Sequence, residues 1–335
     1  MDFLTIFVLS LCYISFGPRT ANANDFDVTS YGAKGDGNTD DTKAFLRAWD
    51  DLCKDESSDP TLIVPSGQTF LISPVSFNGP CNSPAVYIKA LHFHACDGLR
   101  LKGTTHINSP KLHISINGCE DVDVGDLRIS APKDSPNTDG IDISKSSHVN
   151  IHDSNIQTGD DCVAINGGVY DLNVTGVFCG PGHGISIGSL GEKGGHDIVE
   201  KVRVENCNIT GTQNGLRIKT VPYGTGYAKG IIFREIHLVN VENPIIIDQH
   251  YCSNSETDVC PSPRSAPAVQ VSDVTYENIY GSSATVQAII FNCSGKYKCT
   301  GIETNGVGIT GDDVFAYCKN AEGKFIDTSP DVRCS

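Results

Sequence analysis

From about residue 99 onward the chain repeats one short pattern, apolar–x–apolar set among polar residues. Leu99-Arg100-Leu101, Val122-Asp123-Val124, Val149-Asn150-Ile151, Leu172-Asn173-Val174, Val202-Arg203-Val204 and Ile231-Ile232-Phe233 carry it, their first apolar positions stepping by 23, 27, 23, 30 and 29 residues. Residues two apart share one face of a strand, so each unit reads as a short strand with one face in and one face out. Asn, Asp and many of the 34 glycines supply turns that need positive φ. Strands of a β-sandwich would recur about every 8–12 residues. A repeat in the twenties belongs instead to a solenoid whose coils stack on their neighbours. The pattern therefore predicts an all-β fold, a right-handed, single-stranded parallel β-helix. One helical pattern stands before it: from Asp40 to Lys54, Phe45, Leu46, Trp49 and Leu52 recur at helical spacing, with Asp40 and Asp41 able to cap. This predicts a short N-terminal capping helix.

The ends and the composition set the compartment. Phe3 to Phe16 is apolar and is followed by Ala21-Asn22-Ala23, a small-x-small cleavage pattern. Residues 1–23 thus read as a secretory signal peptide and 24–335 as a single β-helix domain. No other apolar run approaches the ~18 residues that span a bilayer, so the mature chain is expected to be secreted, soluble and free of the membrane. Of 14 cysteines, Cys12 leaves with the signal. Cys252/Cys260 and Cys293/Cys299 suit disulfides closing short loops in an oxidising compartment. Cys96 and Cys119, 23 residues apart, would stack inside the core as free thiols. Sequons at Asn173, Asn208 and Asn292 fit a glycosylated surface. The net charge of −15, from 40 acidic and 25 basic residues, argues against a nucleic-acid binder. A polyanionic ligand would have to be held by a few placed cations.

Asp139, Asp161 and His183 follow one another at 22-residue intervals, inside Asn137-Thr138-Asp139-Gly140, Gly159-Asp160-Asp161-Cys162 and Gly182-His183-Gly184. On successive coils, with strands ~4.8 Å apart, they would gather three carboxylates and an imidazole. Glycoside hydrolysis needs a protonated acid on one side of the bond and a base-activated water on the other, and crowded carboxylates do not all ionise freely. Asp160 and Asp161 are adjacent, so in a strand they would point to opposite faces; a bend or bulge would let both serve one site. Arg217 and Lys219 alternate, share a strand face, and can receive a carboxylate, Arg bidentately and Lys as a point charge.

Ser135-Pro136-Asn137-Thr138-Asp139-Gly140-Ile141, Gly159-Asp160-Asp161-Cys162, the run from Cys179-Gly180-Pro181-Gly182-His183-Gly184 to Ser189, and Arg217-Ile218-Lys219 resemble, in order, the four signature motifs of plant polygalacturonases. The opening at Asp27-Val28-Thr29-Ser30-Tyr31-Gly32-Ala33-Lys34-Gly35-Asp36-Gly37 and the stretch from Asn243-Pro244-Ile245 to Tyr251-Cys252 extend the resemblance over nearly all of the mature chain. The resemblance implies an inverting hydrolase of α-1,4-linked galacturonan in de-esterified pectin, acting at the cell wall as a monomer without cofactor or metal. It makes Asp160 the general acid and Asp139 and Asp161 the holders of the attacking water. It places His183 beside them, Arg217 and Lys219 on the sugar carboxylate, Tyr251 against the sugar, and Asn137 near water or substrate. It also implies a Cys162–Cys179 disulfide.

The resemblance breaks after Cys81-Asn82-Ser83-Pro84, which runs almost directly into Val86-Tyr87-Ile88. Relatives carry a tryptophan-containing stretch there, about two coils or ~45–50 residues long; Trp49 is the only tryptophan here. A solenoid that loses whole coils is expected to close up, since each coil touches only its neighbours. The gap keeps open a non-catalytic pectin-binding or wall-associated protein, and a rhamnogalacturonan hydrolase is the nearest alternative enzyme.

Overall fold

The computed structural model describes residues 5–8, 12–14, 25–57, 60–65, 68–73, 75–78, 80–83, 87–88, 91–109, 111–252 and 267–335. They form two compact units, residues 1–160 and 161–335. Both are lengths of parallel β-helix, as the repeat predicts.

In the first unit three parallel ladders climb from coil to coil. Leu91–His94, Ile114–Asn117 and Ile141–Ser144 form one. Arg100–Lys102, Glu120–Gly125 and Ser147–His152 form the second. Thr105–Ile107, Arg128–Ser130 and Asn155–Gln157 form the third. The helix runs Thr42–Lys54 and buries Ala44, Phe45, Ala48, Trp49 and Leu52. Phe45 meets Phe70 edge-on at 5.5 Å, and Trp49 tilts onto Phe77 at 5.2 Å. Asp41 is the N-cap but its side chain makes no capping bond; the Asp40 carboxylate accepts the Thr42 N–H at 2.9 Å. Asp41 turns away to accept the Lys34 and Gly35 N–H groups at 2.7 and 3.0 Å.

At the shortened place the ladders do not simply close up. The third does: Tyr87–Ile88 pairs with Thr61–Ile63 on one side and with Thr105–Ile107 on the other. The other two take strands from the N-terminus, in the only antiparallel pairings among the described residues. Thr5–Val8 lies between Val75–Asn78 and Arg100, and Cys12–Ile14 between Thr69–Ile72 and Leu91–His94. Unpaired strand edges demand backbone partners, and this apolar segment supplies them. The cleavage pattern Ala21-Asn22-Ala23 lies outside the described residues.

The second unit has longer strands. Val163–Ile165, Ile185–Leu190, Asn214–Thr220, Asn243–Asp248, Gln287–Asn292 and Phe315–Lys319 stack in parallel. Ile165, Ile187, Ile218, Ile247 and Phe291 align as one inward column, each 0% exposed. Burying each side chain contributes roughly 1.5–3 kcal/mol. Val169–Thr175, His196–Glu205, Thr225–Val241, Gln270–Ser283, Cys299–Thr310 and Ala321–Ser329 stack beside them. The longest of these turn a corner at aligned left-handed residues, Asn206, Glu235, Asn278 and Gly306, with φ between 53° and 66°. Such a corner, repeated on each coil, is what the polar interruptions of the sequence encode.

Disulfides join Cys53–Cys81, Cys162–Cys179, Cys293–Cys299 and Cys318–Cys334. The pairings implied for Cys162 and expected for Cys293 are therefore present; Cys260 lies outside the described residues. Cys119 is a buried free thiol, as the stacking predicts, whereas Cys96 is disulfide-bonded. The expectation of two free core thiols fails for Cys96. Its backbone N–H nevertheless meets the Cys119 sulfur at 3.2 Å.

Candidate active site

In the first unit the motif residues sit in turns rather than strands. Asn137 is exposed and left-handed, with φ 55°. Thr138 is 3% exposed and its hydroxyl ties two turns together: it donates to the Ser135 carbonyl at 2.9 Å and accepts the Gly159 N–H at 3.0 Å. A Cβ on Gly159 would lie 2.1 Å from the Ser135 carbonyl oxygen, so only glycine lets the turn before Asp160 pack against the turn before Asp139. Asp139 is half-buried. Its carbonyl accepts both the backbone N–H of His113, at 2.8 Å, and the ring Nδ1–H of His113, at 3.0 Å. The other ring nitrogen, Nε2, accepts the Ser109 N–H at 3.4 Å. Those partners require a neutral imidazole, and burial pushes the His113 pKa down. His113 thus pins the backbone of the Asp139 turn.

Asp160 and Asp161 lie in a bend between Asn155–Gln157 and Val163–Ile165, outside any strand. The bend removes the alternation that would have sent the two carboxylates to opposite faces. Their environments differ: Asp160 is half-buried, while Asp161 is 1% exposed.

Around Asp161, in the second unit, the register of three strands converges. Oδ1 accepts Arg217 Nη2–H at 2.7 Å and the Ser186 hydroxyl at 2.6 Å. Oδ2 accepts Lys219 Nζ–H at 3.1 Å. Ser186 in turn accepts Arg217 Nε–H at 2.8 Å. Ser186 and Arg217 are register partners on adjacent parallel strands, and Arg217 and Lys219 share a face by alternation. Arg217 and Lys219 are only 7% and 8% exposed. Three charge-assisted or hydroxyl donors on one carboxylate fix its orientation. Lys219 Nζ also stands over the Tyr251 ring, 5.3 Å from its centroid.

His183 comes from the turn before Ile185–Leu190. Its carbonyl accepts the Asn214 side-chain amide at 3.4 Å, and the Gly184 carbonyl accepts Cys162 N–H at 2.8 Å. A Cβ on Gly184, where φ is 89°, would lie 2.0 Å from the Asn214 carbonyl oxygen. The glycine lets this turn press onto the next coil, which brings a ring nitrogen of His183 within 4.8 Å of an Asp161 carboxylate oxygen.

The second unit therefore brings together Asp161, His183, Arg217, Lys219 and Tyr251; Asn137, Asp139 and Asp160 belong to the first. The cations read from sequence as receptors for a sugar carboxylate have the chain's own Asp161 between them. Sequence reasoning passed over Ser186 and His113. Ser186 was detectable as the polar member of Ile185-Ser186-Ile187, on the face that alternation points away from the core. Nothing in the sequence marks His113.

A family model described as glycosyl hydrolases family 28 matches residues 78–329. A probable polygalacturonase of Arabidopsis thaliana is 40% identical over 373 aligned positions, covering 93% of this chain and 81% of that one. A polygalacturonase of Prunus persica is 38% identical over 385 positions, covering 95% and 96%. Both alignments are longer than the 335 residues of the chain, so these relatives carry stretches that it lacks. Among solved structures, a polygalacturonase from Erwinia carotovora ssp. carotovora is 27% identical with a TM-score of 0.52; the match covers 76% of this chain and 61% of that one. A family 28 exopolygalacturonase of Yersinia enterocolitica shares the fold, with a TM-score of 0.57 at 16% identity over 95% of this chain and 78% of that one.

Proposed function

We propose, starting from a chain that belongs to glycosyl hydrolases family 28 and is a pectin-degrading glycosidase, that it hydrolyses α-1,4-D-galacturonosidic bonds in de-esterified pectin with inversion. Asp160 is the general acid that protonates the leaving oxygen; Asp139 and Asp161 hold the attacking water. The observation that carries this reading is the Asp161 cluster, a buried carboxylate held by Arg217, Lys219 and Ser186 and joined by a peptide bond to the less buried Asp160. Adjacent carboxylates in unlike surroundings support unlike roles.

Arg217 and Lys219 receive the galacturonate carboxylate as well. Lys219 has three N–H donors and Arg217 five, of which one and two are used on Asp161 and Ser186. His183 assists proton transfer or substrate binding beside Asp161, Tyr251 contacts the sugar beside Lys219, and Asn137 orients water or substrate from its exposed turn. The enzyme acts as a monomer at the cell wall, without cofactor, metal or membrane contact, after export directed by residues 1–23. No described helix is long and apolar enough to cross a membrane.

Reducing-end release from polygalacturonate tests the reading. Asp160→Asn, which cannot donate a proton, is expected to lower turnover by several orders of magnitude, and Asp139→Asn and Asp161→Asn severely. Near-parental activity in all three folded variants, or chelator-sensitive formation of unsaturated products by the parent, would overturn it. Retention of pectin binding with no turnover in the parent favours the wall-binding protein that the shortened chain keeps in view.

A further inference from the structure

We propose that Asn292 is an N-glycosylation site whose glycan stands in the path of the polymer, so that its occupancy decides how long a galacturonan the enzyme accepts. The inference rests on the pectin reading above. Of the three sequons, those at Asn173 and Asn208 begin in Val169–Thr175 and Asn208–Thr210, strands of the stack beside the one that carries the cations. Asn292-Cys293-Ser294 begins instead at the end of Gln287–Asn292, in the same stack as Arg217 and Lys219. Lys219, Asp248 and Asn292 are register partners on three successive strands. Neighbouring strands lie ~4.8 Å apart, which puts Asn292 roughly 10 Å beyond Lys219 along the stack.

The Asn292 side chain shares the outer face with the cations. Phe291 points into the core and is 0% exposed, so alternation sends half-buried Asn292 the other way. Asn292 Nδ2 donates to Asp248 Oδ1 at 2.9 Å, and the same oxygen accepts the His250 N–H at 3.0 Å. Glycosylation joins Nδ2 to the anomeric carbon of an oligosaccharide carried on a lipid diphosphate. The anomeric carbon–oxygen bond to the diphosphate breaks, and Nδ2 gives up one proton. Its second N–H remains for Asp248. Transfer takes place on the unfolded chain during export, so the 4% exposure of Ser294 in the folded protein does not oppose it.

A substrate with one carboxylate on Arg217 and Lys219, and the bond to be cut beside Asp161, runs along the stack. Past Lys219 its next sugars lie over Asn243–Asp248 and then over Gln287–Asn292. An N-linked glycan is bulky, and one rooted at Asn292 fills that place. The other two sequons meet no such path. Asn173 Oδ1 accepts Arg203 Nη1–H at 3.4 Å on the neighbouring stack. Asn208 stands there in register between Phe178, which is 57% exposed, and His237. Short substrates that end before Asn292 should pass the glycan untouched, whereas long ones should not.

The full chain, secreted from a glycosylating and from a non-glycosylating host, tests this, with peptide mass spectrometry reading the occupancy of each sequon. Asn292 should be occupied in the first. There, kcat/KM on polygalacturonate should be about 10- to 100-fold below that of the unglycosylated protein, while on the shortest oligogalacturonate cleaved it should differ by less than about threefold. In the glycosylating host, Asn292→Gln should bring polymer cleavage to within about threefold of the unglycosylated protein, and Asn208→Gln should bring no recovery. Trimming the parent's glycans to single N-acetylglucosamines with an endoglycosidase should raise polymer cleavage at least about threefold, and this arm stands where Asn292→Gln fails to fold. An unoccupied Asn292, equal polymer cleavage with and without its glycan, or equal loss on short and long substrates overturns the proposal and leaves the pectin reading intact. If the unglycosylated protein, folded by circular dichroism, cleaves galacturonan of no length, the reading falls and this inference with it.

Discussion

Replacing Asp161 with asparagine changes almost no volume and one charge, and the structure says how much stability should follow. The carboxylate is 1% exposed and stands between cations that are 7% and 8% exposed. The contacts are 2.7 Å to Arg217 and 3.1 Å to Lys219. At an effective dielectric of about 20, each pair at ~3 Å attracts by roughly 5 kcal/mol before desolvation. The asparagine oxygen retains part of this as a dipole, but both cations remain buried without a counter-charge. Removing one partner of a buried ion pair costs about 3–5 kcal/mol net, and that is the expected loss. At about 2–4 °C per kcal/mol for a chain of this order, the melting temperature should drop by roughly 6–20 °C. Asp160→Asn, at the half-buried neighbouring position, is the control and should lose no more than about 1 kcal/mol. Adding Lys219→Met to Asp161→Asn keeps the apolar stem and removes one stranded charge, so it should recover at least about 1 kcal/mol. Thermal and urea unfolding followed by circular dichroism measure all four proteins. If Asp161→Asn melts with Asp160→Asn, or if Lys219→Met recovers nothing, the carboxylate is not the keystone of a buried charge cluster.

Three further outcomes follow from the same geometry. Burial pushes the imidazoles of His113 and His92 below their ordinary 6.5; the unfolded chain therefore takes up protons first as pH falls. Stability should be complete above about pH 6.5 and decline as the pH drops from there through the lower folded values, and His113→Gln should flatten that decline in urea midpoints taken at pH 7.5 and pH 5. Gly184→Ala should prevent folding or cost several kcal/mol, since its Cβ would meet the Asn214 carbonyl oxygen at 2.0 Å, whereas Gly211→Ala, with φ 62° and nothing within 4 Å, should cost only about 1–2 kcal/mol; equal urea midpoints for the two would refute the close-approach argument. Cleavage of residues 1–23 on export would strip two strand partners from the shortened coil. The truncated chain should melt lower, and the missing coils of a relative, inserted after Asn82, should restore it; unchanged melting on insertion would make the short form self-sufficient.

The coil architecture was legible because its cause is local and repeats. Apolar residues two apart, spaced by one coil length, can bury a common face only by stacking, and Leu172, Val202 and Ile231 do stack, each 0% exposed. The helix was legible for the same reason, through its one apolar face. What happens at the shortened coil was not legible. Two ladders there are completed by Thr5–Val8 and Cys12–Ile14 running antiparallel, a solution that no period in the sequence describes. Cys96 was misread on similar grounds: its spacing from Cys119 correctly indicated a stack but carried no information about a covalent partner.

The cations show where sequence reasoning stops in the site itself. Alternation establishes that Arg217 and Lys219 share a face, and an acidic chain with two placed cations invites an anionic partner. Which anion they meet depends on register across three strands. Arg217 lies 56 residues and Lys219 58 residues from Asp161, and both reach it. The cluster of one carboxylate and two cations carries a net charge of +1 rather than +2. On the proposed reading, a galacturonate carboxylate arriving there would find cations already oriented by a neighbour and short of only one negative charge. It need not order two flexible side chains, since Asp161 and Ser186 have done so, and preorganised donors bind at lower entropic cost. On the proposed mechanism, the carboxylate that holds the water thereby also shapes the receptor for the sugar. Substitutions at Arg217 or Lys219 should accordingly disturb binding and turnover together.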